Sequence, residues 1–68
     1  MIRWTLSTAM EDAGVRFVKE LSSMTGISYA HLTKLHRNQS KTVSLDTLNA
    51  LCVALDCNVE ALLEYVPD

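Results

Sequence analysis

The chain has 68 residues, 49% of them hydrophobic and 21% charged, which describes one small globular domain and excludes a disordered tract. Eight acidic side chains outnumber six basic ones, for a net charge of −2, and that total opposes indiscriminate nucleic-acid binding. No apolar run approaches the roughly 18 residues that cross a bilayer. Met1-Ile2-Arg3-Trp4 is followed by no apolar leader core, so a cytoplasmic chain without a membrane segment is expected.

Strand signals are weak, because no stretch alternates apolar and polar residues between turn dipeptides. Ile2, Leu6, Met10 and Ala13 instead recur at three- and four-residue steps, with Trp4 beside them, and predict a first helix stopped by Gly14. A second, short helix carries Val18, Leu21 and Met24 and ends at Thr25-Gly26. Ser28 is the expected N-cap of a third helix, which runs to about Arg37 with Leu32 and Leu35 as its apolar pair. Asn38 to Thr42 form a polar loop. Ser44 caps a fourth helix, with Asp46 in its first turn and an inward stripe of Leu45, Leu48, Leu51, Cys52 and Leu55. Asn58 caps a fifth, which buries Val59, Leu62 and Leu63 and precedes Pro67. The expected fold class is therefore all-α: one domain over residues 1–68, a compact bundle of five short helices.

Cys52 and Cys57 are five residues apart, about 140° on a helical wheel, so they do not converge on a metal. The expectation is one buried thiol and one near a helix end, in a reducing compartment. A domain this small is stabilised by disulfides, metals or association, and association is the remaining option.

The informative stretch runs from residue 18 to 37: helix, a turn at Thr25-Gly26-Ile27, then helix. A short turn containing glycine between two helices marks a helix-turn-helix. Ser22 is small where the two helices cross, Gly26 allows the sharp turn, and Ile27 fills the angle between them. With Tyr29 set at 0°, Leu32 and Leu35 fall at about 300° and 240°, and the opposite face holds Thr33, Arg37, Ala30 and Lys34 at about 40° to 140°. His31 and His36 lie at the edges of the core face and read as partly buried structural histidines. Trp4 and Phe17 read as core or dimer-contact residues, and Tyr65 on the last helix as a candidate contact with a second copy.

Glu20-Leu21-Ser22-Ser23-Met24-Thr25-Gly26-Ile27-Ser28 resembles the phage-repressor-like (Cro/repressor, or XRE) helix-turn-helix family. The resemblance continues through Leu32-Thr33-Lys34-Leu35, Val43 to Leu48 and Leu51 to Cys57, nearly the whole chain. It implies a lambda-repressor-like DNA-binding fold and a sequence-specific transcriptional regulator that places its third helix in the major groove of double-stranded DNA, commonly as a homodimer. Carried onto these positions, it implies Tyr29, Ala30, Thr33 and Lys34 as base readers. Arg16, Lys19, Ser28, Arg37, Asn38 and Lys41 become phosphate contacts. The chain departs from the family where members often start the second helix with Thr-Gln: here Arg16-Phe17-Val18 stands there, one residue being added after Gly14. Tyr29 also replaces an arginine common after the capping serine. These departures, with the acidic total, motivate an alternative: a protein-interaction module on the same fold with weak or lost DNA binding.

No enzyme, cofactor, metal or small-molecule ligand is expected. There is no Gly-rich phosphate loop, no Cys–His pairing and no facing carboxylate pair; Glu11-Asp12 and Glu60/Glu64 read as solvated helix faces. No effector domain is expected either. Charge is segregated, however: residues 1–15 carry −1, residues 16–41 carry +4 and residues 42–68 carry −5. The basic segment coincides with the helix-turn-helix and its following loop, and the acidic half is expected to face away from DNA.

Overall fold

The first and last segments of the chain pair with each other, and this ribbon organises everything between them. A computed structural model describes residues 1–67; Asp68, counted above with the acidic half, lies outside the described residues. Strand β1 (Ile2–Trp4) runs antiparallel to β2 (Leu63–Tyr65), with Ile2 opposite Tyr65, Arg3 opposite Glu64 and Trp4 opposite Leu63. Reciprocal bonds between Met1 and Val66 at 2.6 and 2.7 Å extend the ladder, and Thr5 N–H to the Leu62 carbonyl at 2.7 Å closes its other end. Between the strands lie α1 (Leu6–Asp12), α2 (Val18–Thr25), α3 (Tyr29–His36), α4 (Leu45–Leu55) and one 3₁₀ turn over Val59–Ala61.

Two expectations are corrected here. The fold is mostly helical but not all-α: the described residues form four α-helices, and the expected fifth is a single 3₁₀ turn followed by β2. The first helix starts at Leu6 rather than Ile2. A β-branched residue and an aromatic in Ile2-Arg3-Trp4 suit a strand as well as a helix, and cross-strand pairing decides between them. Glu64 is consequently not on a helix with Glu60; it pairs with Arg3 Nε at 2.9 Å. Both side chains are about half exposed, so this pair sets register more than stability. Tyr65 likewise sits on β2, exposed beside Ile2.

Each of the four helices is followed by a left-handed residue: Gly26 and Asp56 directly after α2 and α4, Gly14 and Asn38 one residue further on after α1 and α3. After α1, α3 and α4 the next residue turns back to bond a carbonyl five positions earlier: Val15 to Met10, Gln39 to Lys34 and Cys57 to Cys52, at 2.9, 2.8 and 3.1 Å. This satisfies carbonyls that the helix end would otherwise leave without partners, and it reverses the chain within two residues. Such turns explain how a short chain packs four helices.

The core contains Trp4, Leu6, Ala9, Met10, Val15, Leu21, Leu32, Leu35, Leu51, Leu55 and Leu62. Leu21, Leu32, Leu35, Leu51 and Leu62 are fully shielded; β1 and the four helices each contribute to this one cluster, and Leu63 of β2 packs half-buried against it. Leu45 does not belong to it, being 82% exposed. Its position is about 90° from the centre of the α4 stripe, in the first turn, where no neighbour covers it. Val59 is also exposed, and Leu63 only half-buried.

Candidate nucleic-acid interface

The bihelical motif is built by side chains that satisfy one another locally. Gly26, at φ +77, ends α2, and its N–H bonds the Ser22 carbonyl at 2.9 Å. Ser22 Oγ donates across the turn to the Ile27 carbonyl at 2.5 Å, which requires the small side chain present there. Thr25 Oγ1 donates to the Leu21 carbonyl at 2.9 Å and accepts from Ile27 N–H at 3.1 Å. Ile27 packs half-buried against the core. Ser28 Oγ then accepts from His31 N–H at 3.2 Å, capping α3. The cap uses an acceptor lone pair and leaves the Ser28 O–H as a donor for an outside oxygen.

With Leu32 and Leu35 buried, α3 presents its other side to solvent. Tyr29, Ala30, His31, Lys34 and His36 are exposed, and Thr33 is half-buried. Thr33 Oγ1 donates to the Tyr29 carbonyl at 2.8 Å, so its hydroxyl offers an acceptor and its methyl to whatever approaches. Arg37 caps the helix and is exposed.

Eight of the ten expected site residues fall into three groups, and Thr33 and Arg37 lie outside them. Arg16, Lys19 and Tyr29 line one groove of about 840 Å³ with Phe17, Val18, Ser23 and His36. Ser28, Ala30 and Lys34 share a shallower depression with His31. Lys41 and Asn38 lie apart, in a third depression beside β1. None of Arg16, Lys19, Lys34, Arg37 and Lys41 is ion-paired among the described residues, so their charge is available to a polyanion. Glu20 borders the first groove, and the acids of residues 42–67 line neither of the first two.

Phe17, His31 and His36 differ from expectation, and Asn38 has a structural partner of its own. Asn38, expected at a phosphate, also clamps β1: its Oδ1 accepts from Trp4 N–H at 2.6 Å and its Nδ2 donates to the Trp4 carbonyl at 3.0 Å. Asparagine tolerates the left-handed conformation at the end of α3 (φ 59) and there holds β1 with both ends of its carboxamide. Phe17 is not core: it is 68% exposed as the residue before α2, with an extended backbone and no capping side chain. His31 and His36 are not partly buried but exposed, and they join the two grooves. On the helical wheel both sat at the margin of the core face, where burial depends on a neighbour that only the tertiary fold supplies.

Residues 5–68 match the family model described as the Cro/C1-type HTH DNA-binding domain. The chain is 43% identical over 51 residues, 75% of its length, to the uncharacterized HTH-type transcriptional regulator YozG of Bacillus subtilis strain 168. It is 40% identical over 48 residues, 71% of its length, to the SPbeta prophage-derived uncharacterized HTH-type transcriptional regulator YopS of the same strain. The matched segments span 61% and 65% of those two relatives. No solved structure matches the chain.

Proposed function

The chain belongs to the Cro/C1-type helix-turn-helix DNA-binding family, and from that membership we propose that it is a sequence-specific DNA-binding transcriptional regulator that reads the major groove with α3. The observation that carries this reading is the exposed face of α3, where Tyr29, Ala30 and Lys34 stand outward with cations unpaired on both sides. Lys34 donates to guanine O6 and N7, the Ala30 and Thr33 methyls meet a thymine methyl, and the Thr33 hydroxyl accepts from a base amino group. Arg16, Lys19, Ser28, Arg37 and Lys41 contact phosphates and set the register of the helix on the duplex. Both relatives bear the name of transcriptional regulators, in line with this assignment. The proposal extends to a homodimer on DNA and to a cytoplasmic setting, the latter in keeping with two free thiols.

Selection from a random-sequence DNA library tests the proposal and reports symmetry at once. A recovered site with two inverted halves supports a dimer, and a single half supports a monomer. If each subunit neutralises about three phosphates, log K against log salt falls with a slope of roughly −3 per subunit. Failure to recover any site, with a stoichiometric protein partner that persists at high salt, would replace this reading with the interaction-module alternative.

A further inference from the structure

The helix end after α4 brings together two side chains that a helical wheel separates. Asp56 takes φ 50 and ψ 53, its N–H bonds the Val53 carbonyl at 3.4 Å, and Cys57 N–H bonds the Cys52 carbonyl at 3.1 Å. In this type of turn the side chains of the two residues joined by the longer-range bond lie against each other. After α1 the equivalent pair is Met10 and Val15, both buried in the core. After α4 the pair is two thiols, free and half-buried, on residues joined by that main-chain bond. Their main chains are joined by the 3.1 Å bond, and a disulfide requires just such close approach, with Cα atoms roughly 4.4–6.8 Å apart.

We propose that Cys52 and Cys57 form a thiol–disulfide exchange site, closed to an intramolecular disulfide by a low-molecular-weight disulfide such as oxidised glutathione. One cysteine thiolate attacks a glutathione sulfur, forms a mixed disulfide and expels one glutathione thiolate, which takes up the proton. The second cysteine gives up its proton, attacks the protein sulfur of the mixed disulfide and expels the second glutathione. Two electrons pass from the pair to the oxidant, and no other reactant is needed. The bond ties the end of α4 to the segment leading into β2. The inference is independent of the DNA reading.

The full chain, incubated with oxidised glutathione, acid-quenched, alkylated with a maleimide and weighed intact, tests the proposal. Both thiols should become unreactive together in a monomer lighter by two hydrogens, and dithiothreitol should restore them. Cys57→Ser should stop at a chain carrying one glutathione. The closing equilibrium should favour the native chain over the urea-unfolded chain by about tenfold or more, because the fold pre-pairs the sulfurs. A stable mixed disulfide on the unsubstituted chain, covalent dimers as the main product, or equal closure in urea would each overturn it.

Discussion

Replacing Asn38 by glycine and, separately, by alanine distinguishes its two structural contributions. Its carboxamide makes two hydrogen bonds to the Trp4 main chain, at 2.6 and 3.0 Å, and its backbone holds the left-handed position that ends α3. At a net 0.5–1.5 kcal/mol per bond, losing both costs about 2 kcal/mol, and Asn38→Gly loses only these. Asn38→Ala loses them and adds about 1 kcal/mol for a Cβ in the left-handed region, giving about 3 kcal/mol. A domain of this length has total stability on the order of 3–10 kcal/mol, so either variant is readily measured. Trp4 is the chain's single tryptophan and is buried, so its fluorescence reports a urea titration directly. The expected order of midpoints is unsubstituted, then glycine, then alanine. A glycine variant as stable as the unsubstituted chain would refute the clamp, and equal midpoints for glycine and alanine would refute the backbone term. Because the carboxamide is turned to Trp4, Asn38→Gly should leave the DNA affinity of the folded domain unchanged; a loss of affinity shared by all sequences would make it a phosphate contact.

Arg37→Ala should weaken binding to all DNA sequences alike and make the salt slope shallower by about 1, whereas Lys34→Ala should relax preference at one base position of the selected site. Fluorescence anisotropy at several salt concentrations separates the two. Gly26→Ala meets no atom within 4 Å of the added Cβ, so its cost is the strain of φ +77 alone, about 1 kcal/mol by thermal melt. A cost near zero would contradict the left-handed turn. Burial, then the neighbouring Cys52, hold the Cys57 thiol above its ordinary range. The unfolded chain thus releases this proton first as pH rises, so the stability contribution is full below the ordinary thiol range and is lost above it. Urea midpoints in alkaline buffers should fall for the unsubstituted chain and fall less for Cys57→Ser.

Legibility in the sequence followed how local each determinant is. Gly26, the Ser28 cap and the Leu32/Leu35 face of α3 depend on neighbours within a few positions, and the helix-turn-helix stands where periodicity places it. The Ser44 cap of α4 was legible for the same reason: its Oγ accepts from Thr47 N–H at 3.1 Å. The ribbon was not, because three-residue strands carry no usable period and each strand's partner lies at the other end of the chain. The 140° separation of Cys52 and Cys57 holds only for a regular helix through Asp56, whose positive φ breaks the 100° step. At the interface, Arg16, Lys19 and Lys34 were identifiable as surface cations. That Asn38 would turn inward to Trp4 depended on a strand that the sequence pattern did not reveal.

The ribbon also has a consequence for the order of events during synthesis. Residues 2–4 leave the ribosome before the four helices, and their partners, residues 63–65, emerge after them. The contacts that join α2 to α3 are local and available early, whereas this pairing waits for a loop of nearly the whole chain to close. Until then Trp4 has no strand opposite it, and the Asn38 clamp has an unanchored target. A nascent chain halted before Leu63 therefore carries the complete reading helix without the paired strand that steadies its exit. A cut that removes residues 2–4 or 63–65, by proteolysis or by truncation, returns the molecule to that unfinished state while leaving every residue of the helix-turn-helix in place.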